Sequence, residues 1–277
     1  MRIACQACMH HCLLQEGQLG LCGARKRQGD KTISINYGKI TSMALDPIEK
    51  KPLRMFHPGS LVLSVGSFGC NLSCPFCQNH EISMQRGGCT GALYLSPEEL
   101  AAKALAYHRH SGNIGLAFTY NEPLIGWEYV RDSARLVKNY GMHNILVTNG
   151  SATLETLGQI LPYIDAMNID LKGFQESYYQ RLGGDLDTVK SFIVHAAPAC
   201  HVELTTLIVP GENDSEAEME AEAKWIASAV GRHIPLHVTR FFPRYQMNDR
   251  AATEVAKVNR LADIARRHLA YVWTGNC

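Results

Sequence analysis

Residues 66–80 read Gly-Ser-Phe-Gly-Cys-Asn-Leu-Ser-Cys-Pro-Phe-Cys-Gln-Asn-His, and Cys70, Cys74 and Cys77 within them have the spacing C-x3-C-x2-C. Three thiolates this close on one loop can each reach a different iron of a single [4Fe–4S] cluster, and the fourth iron then keeps an open position. Two plainer readings stand beside it: a three-cysteine zinc site completed by His80, or three free thiols. The loop follows Leu61-Val-Leu-Ser-Val, an apolar run that predicts a buried strand. Gly66 and Gly69 allow a sharp exit from that strand.

A second set, Cys5, Cys8, Cys12 and Cys22, has the spacing C-x2-C-x3-C-x9-C and ends in the run Gly17-Gln-Leu-Gly-Leu-Cys-Gly. The segment is too short and too rich in glycine to build its own core. A metal is therefore expected to organise it, either zinc or a second [4Fe–4S] cluster, with four unligated thiols as the plain alternative.

The 277 residues carry a formal net charge of +1 and no block of Lys or Arg, which argues against nucleic acid as an electrostatic partner. No window of about 18 apolar residues predicts a membrane span, and the start lacks a basic-then-apolar secretory pattern. Of the ten cysteines, those clustered at 5/8/12/22 and 70/74/77 read as metal ligands in a reducing cytoplasm rather than as disulfides, and Cys89 and Cys200 as free thiols. An oxygen-sensitive cluster further suggests an anaerobic or microaerobic setting.

The elements that must position these residues alternate strand and helix. Thr32–Asn36 and Lys39–Leu45 predict a hairpin around Tyr37-Gly38, followed by the Pro-punctuated segment Asp46-Pro-Ile-Glu-Lys-Lys-Pro-Leu, whose lysines suit either a solvated face or the mouth of the cysteine site. Beyond the cysteine loop, Ser96-Pro-Glu-Glu starts a helix with an N-cap, Pro at N1 and acids in its first turn. Strands are predicted near 114–119, 143–148, 166–171, 202–209 and 236–241, with helices near 124–140, 153–161, 175–182, 185–197, 214–230 and 249–268, and a possible last strand at 271–273. Six β/α units, counting the cysteine-loop strand, imply a parallel sheet with right-handed crossovers. The predicted fold is α/β: a partial (β/α)6 TIM-like barrel over 59–277, preceded by a Cys-rich segment and hairpin over 1–58. Chemistry on such a barrel sits at the C-terminal strand ends, where Thr119-Tyr-Asn-Glu-Pro, Thr148-Asn-Gly, Asp170-Leu-Lys172 and Phe241-Phe-Pro-Arg-Tyr-Gln-Met fall.

With Phe76 directly before the third cysteine, the loop resembles that of the radical S-adenosylmethionine (SAM) superfamily. Over most of residues 45 to 250 the chain is similar to the glycyl-radical-enzyme activases. Asp-Pro-Ile-Glu-Lys-Lys-Pro-Leu, Cys-Gln-Asn, Thr-Tyr-Asn-Glu-Pro, Val-Pro-Gly and the Cys-rich N-terminus most resemble the AmmeMemoRadiSam system branch. The resemblance implies a [4Fe–4S] cluster on Cys70, Cys74 and Cys77 that binds SAM and cleaves it to a 5′-deoxyadenosyl radical, which abstracts hydrogen from a small molecule or a protein residue. It also implies an electron donor such as flavodoxin or ferredoxin. Activases usually carry Gly-Gly-Glu-Pro where this chain has Tyr120-Asn121-Glu122-Pro123, and Asp-Thr-Asn-Gly where it has Val147-Thr-Asn-Gly, so a cation site using that Asp is lost. For the SAM site the resemblance and the chemistry of the ligand suggest Lys172 on the carboxylate or ribose, Asp170 and Thr148 on sugar or methionyl atoms, and Phe76 and Asn79 beside the adenine. Asn121 and Glu122 offer further polar contacts, and Tyr245 stands where activases have a ribose-contacting His. Asp170 and Lys172 also suit a plain ion pair. An activase acting on a partner enzyme, and a non-enzymatic iron–sulfur or zinc protein, are the rival readings.

Overall fold

The computed structural model describes residues 2–277. Its centre is an eight-stranded sheet with the strands in chain order: β1 (Ser42–Pro47), β2 (Leu61–Gly66), β3 (Asn113–Phe118), β4 (His143–Thr148), β5 (Ala166–Asp170), β6 (His201–Ile208), β7 (Leu236–Arg240) and β8 (Val272–Gly275). β1 lies antiparallel to β2, and every other neighbouring pair is parallel. The two edge strands do not pair, so the sheet stays open. The six expected β/α strands and the terminal one are present.

The strands are apolar almost throughout because both faces are covered. On the outer face Leu63, Val65, Leu116, Phe118, Leu146, Met167 and Leu204 join the main core under helices α1 (Pro97–Ser111), α2 (Trp127–Asn139), α3 (Leu154–Ile160), α4 (Glu176–Arg181), α5 (Leu186–Ala196), α6 (Glu216–Ala229) and α7 (Val255–Arg266). Ser96 caps α1 through a reciprocal capping box with Glu99, and Pro97 opens the helix. On the inner face Val62, Ala117, Ile145 and Ala166 pack against Ile48, Leu53 and Phe56 from the segment that follows β1.

The chain before β2 corrects two expectations. The hairpin forms one turn earlier than the pattern predicts, between Arg25–Gln28 and Lys31–Ser34, while Lys39–Ile40 pairs with Leu93–Tyr94. Ser42–Pro47 leaves the hairpin for the edge of the main sheet, so the sheet takes a strand from before residue 58. An alternating run records that a strand forms but not which neighbour it joins. The Lys-Lys-Pro-Leu stretch then crosses the inner face: Asn168 donates to Pro52 O at 2.9 Å, and Arg54 lies over the Trp273 ring of β8 at 5.9 Å.

Candidate active site at the strand ends

The cysteine loop connects Gly66 to a short helix, His80–Ser83. Gly69 adopts φ +89°, and a Cβ there would lie 2.6 Å from Cys22 O, so the close approach of the N-terminal segment requires glycine. Cys74 is buried, whereas Cys70 and Cys77 are half-buried. Burial pushes the Cys74 thiol up to about 11, with Lys172 opposing and Cys77 and Asp170 adding to the rise. Burial also raises Cys70, reinforced by Glu122, Cys74 and Cys77. The three thiols therefore share one electrostatic neighbourhood and would repel one another as thiolates. Among the described residues no three His, Cys, Asp or Glu side chains form a ready cage for a single ion. His80 lies against Tyr245, rings stacked at 4.4 Å, with Nδ1 3.2 Å from Cys77 O. The donor set suits a cluster, in which each sulfur meets its own iron, better than zinc.

The strand-end polar residues divide into two groups. Asn121 accepts from Ser67 N at 3.0 Å and donates to Phe68 O, Gly69 O and Glu122 O. Glu122, 3 % exposed, accepts from Leu124 N, Thr148 Oγ1 and Asn149 N at 2.7–3.0 Å; burial pushes it up to about 7 against those bonds. Asn79 donates to Tyr120 O at 2.8 Å. These side chains tie the cysteine loop to the ends of β3 and β4. Phe76 is likewise packed inward, among Leu72, Tyr178, Leu182, Val209, Phe241 and Met247.

The second group faces the mouth. Asp170 and Lys172 pair at 2.6 Å with side chains 30 % and 16 % exposed. Burial disfavours the Lys172 ammonium, but Asp170 and the nearby Cys74 sulfur outweigh it and hold its pKa above the usual lysine range. Its backbone is fixed: Lys172 N–H donates to Tyr179 Oη at 2.9 Å, and Asn213 Nδ2 donates to Lys172 O at 2.7 Å. Tyr245, at φ +53°, lies in the loop after β7, where Gln246 N–H donates to Pro75 O.

Sequence reasoning missed Asn149 and Asn71. Asn149 Nδ2 lies 3.7 Å from Cys70 Sγ and 2.8 Å from Asn71 Oδ1, and Asn71 Nδ2 reaches Ser151 O at 3.1 Å. Their signal was position: one follows Thr148 in its motif and the other follows Cys70.

Lys51 faces neither solvent nor the mouth. It is buried beneath Tyr120, its Nζ 2.9 Å from Asp46 Oδ2 and 4.8 Å from the Tyr120 ring centroid. Tyr120 Oη donates to the same Asp46 oxygen at 2.9 Å, and Tyr120 adopts φ +72°. A left-handed non-glycine residue costs about 1–3 kcal/mol. A hydrogen bond to a charged group contributes about 1.5–3 kcal/mol, enough to hold Tyr120 in a conformation natural to glycine.

The N-terminal segment wraps the same loop. His10 Nε2 donates to Asn71 O at 2.8 Å, Cys8 forms a β-bridge with Ala152, and Met9 packs, like Cys70 and Cys77, against the cluster around Cys74 and Phe76. Cys5, Cys8 and Cys22 are buried and Cys12 half-buried. Burial pushes Cys8 up to about 12, with Cys22, Cys5 and Cys12 adding to the rise. A Cβ on Gly20 would lie 3.7 and 3.8 Å from the Cys12 and Cys22 sulfurs.

The model of the radical SAM superfamily matches residues 64–223, from the cysteine-loop strand to α6. The chain belongs to the radical SAM superfamily. An uncharacterised protein of Methanocaldococcus jannaschii is 34% identical over 99% of this chain and 81% of its own. The pyruvate formate-lyase 1-activating enzyme of Escherichia coli is 27% identical over 53% of this radical SAM chain, which spans 61% of that enzyme. Among solved structures, a domain of the pyruvate-formate lyase-activating enzyme of Bacteroides vulgatus has a TM-score of 0.51 at 19% identity, over 58% of this chain and 98% of its own. Streptococcus suis SuiB bound to S-adenosylmethionine has a TM-score of 0.58 at 12% identity, over 79% of this chain and 52% of that one. These two share the fold. The radical SAM family implies a [4Fe–4S] cluster and SAM, and membership makes the protein an enzyme, setting the non-enzymatic reading aside. Among the described residues no helix is long and apolar enough to cross a membrane.

Proposed function

We propose that this radical SAM enzyme abstracts hydrogen from a substrate at the mouth formed by the cysteine loop and the C-terminal ends of β3 to β7. The observation that carries this reading is the convergence of Cys70, Cys74 and Cys77 beside Lys172 and Asp170 at one end of the sheet. Cys70, Cys74 and Cys77 would hold the cluster there, and when bound it would supply the electron for cleavage of SAM to methionine and the 5′-deoxyadenosyl radical. Lys172 presents a fixed cation suited to the SAM carboxylate or ribose, and Asp170 an acceptor for its hydroxyl or ammonium groups. Asn121, Glu122, Thr148 and Asn79 act one step back, by holding the loop and the strand ends in place. Phe76 and Tyr245 border the site from the loop itself and from the connection after β7.

Similarity to pyruvate formate-lyase activating enzymes favours a protein residue as the substrate. A flavodoxin or ferredoxin is the proposed electron donor. Cys5, Cys8, Cys12 and Cys22 form a second centre, zinc or [4Fe–4S]; the support is that Cys5, Cys12 and Cys22 all act on the buried Cys8 thiol and that Gly20 stands against both the Cys12 and Cys22 sulfurs. Anaerobically reconstituted protein, reduced with dithionite and given SAM, should release 5′-deoxyadenosine; no release would overturn the reading. Metal analysis tests the second centre: about four irons plus one zinc, or about eight irons, supports it, and about four irons alone overturns it.

A further inference from the structure

We propose that Asp46 and Lys51 form a clamp on Tyr120 that holds a left-handed turn at the end of β3, and that the Tyr120 carbonyl thereby positions the far end of the cysteine loop. The proposal rests on the reading of that loop as the cluster and SAM site. It concerns three residues at which no ligand contact is assigned, and makes them positioning residues rather than catalytic ones.

Three observations converge. Tyr120 sits at φ +72° with its side chain laid over Gly66, where a Cβ would come within 2.9 Å of Tyr120 Cβ. Its phenol and the Lys51 ammonium meet on one oxygen of Asp46, and that ammonium also stands over the Tyr120 ring. The carbonyl so oriented accepts from Asn79 Nδ2 at 2.8 Å and faces Ser83 Oγ at 3.4 Å, the two ends of the short helix that begins three residues after Cys77. Gly69 N–H in turn donates to Ile82 O at 3.0 Å, so this helix ties the loop's exit back to its entrance. Were the phenol released, a tyrosine would favour φ < 0, which rotates the peptide and withdraws the carbonyl from Asn79. The clamp thereby links the edge strand β1 and the chain that follows it to the far end of the cysteine loop.

Two substitutions separate positioning from packing because they order oppositely. Tyr120→Phe keeps the ring and its place over Gly66 but removes the bond to Asp46. Tyr120→Gly removes the ring but adopts φ +72° without strain. The readouts on the intact chain are amide hydrogen exchange over residues 77–84 and the Kd for SAM of the reconstituted protein. Under the proposal Tyr120→Phe raises exchange and Kd by about tenfold, while Tyr120→Gly stays within about twofold of wild type in both, even where its Tm is lower. Exchange in Tyr120→Phe equal to wild type overturns the clamp, and so does Tyr120→Gly loosening the loop more than Tyr120→Phe. If wild type binds no SAM, the SAM-site reading fails on its own, and the exchange data still decide the clamp.

Discussion

The two ends of the sheet carry carboxylates in opposite circumstances. At the N-terminal end Glu203, fully buried on β6, accepts from Arg54 N, Met55 N, His201 Nε2 and His237 Nε2, all at 2.6–3.0 Å. Burial alone would raise its pKa, yet these donors hold it down at about 2. At the C-terminal end Asp170 and Lys172 satisfy each other at a partly open mouth beside Cys74. A carboxylate whose acceptors are filled by the chain has nothing left for a ligand, whereas a pair facing solvent next to a cluster of thiols can exchange partners. On the function proposed above, the floor is scaffold and the mouth is site, although each is built around a carboxylate.

The largest expected effect lies at the mouth. Cys70→Ala, Cys74→Ala or Cys77→Ala each removes one thiolate from a set with no spare ligand, and 5′-deoxyadenosine formation should fall to background with loss of iron. Wild-type turnover in any one of them would remove the distinction between the two ends. At the floor the effect should fall on folding instead. Glu203→Ala leaves buried donors unpaired and should cost about 3–5 kcal/mol in a denaturant titration, with the SAM Kd of the remaining folded protein unchanged. Lys172→Met should behave in the reverse way, weakening SAM binding by the about 1.5–3 kcal/mol of a charged hydrogen bond while leaving the Tm without SAM nearly unaltered. A large loss of Tm with unaltered affinity would make Asp170–Lys172 a structural ion pair.

A pH-dependent effect sharpens the comparison on β6 itself. Burial pushes Glu222, on α6, up to about 8, Glu218 adds to the rise, and the Thr206 hydroxyl at 2.5 Å opposes it. Between its ordinary 4.5 and about 8 the folded chain keeps a proton that the unfolded chain releases. Its stabilising contribution is complete below that window and declines as pH rises, by up to about 1.4 kcal/mol per pH unit. Glu203 has the opposite sign: its contribution is complete above 4.5 and is lost as pH falls towards about 2. Glu222→Gln should flatten the stability profile between pH 4.5 and 8, checked by chemical denaturation across that range; an unchanged slope would mean that Glu222 is ionised in the fold.

The strands and the order of chemistry along the chain were legible because both are local properties. Segments such as Ile114–Phe118 and Ala166–Asp170 are apolar enough to require cover on both faces, Ser96-Pro-Glu-Glu caps its own helix, and three cysteines within eight residues meet whatever the rest of the fold does. What tertiary structure decided was partnership. Asn121, Glu122 and Thr148 lie at the strand ends and Asn79 in the cysteine loop, where sequence placed them, but the donors and acceptors that engage them come from residues up to 54 positions away. Lys39–Leu45 reads as a hairpin arm until β2 is there to pair with its second half, and Lys51 suits a solvated face or the mouth until Asp46 and Tyr120 enclose it. Hydrogen bonds and ion pairs act over about 3 Å. Sequence determines which groups a residue carries, but only the folded chain determines which of them come that close.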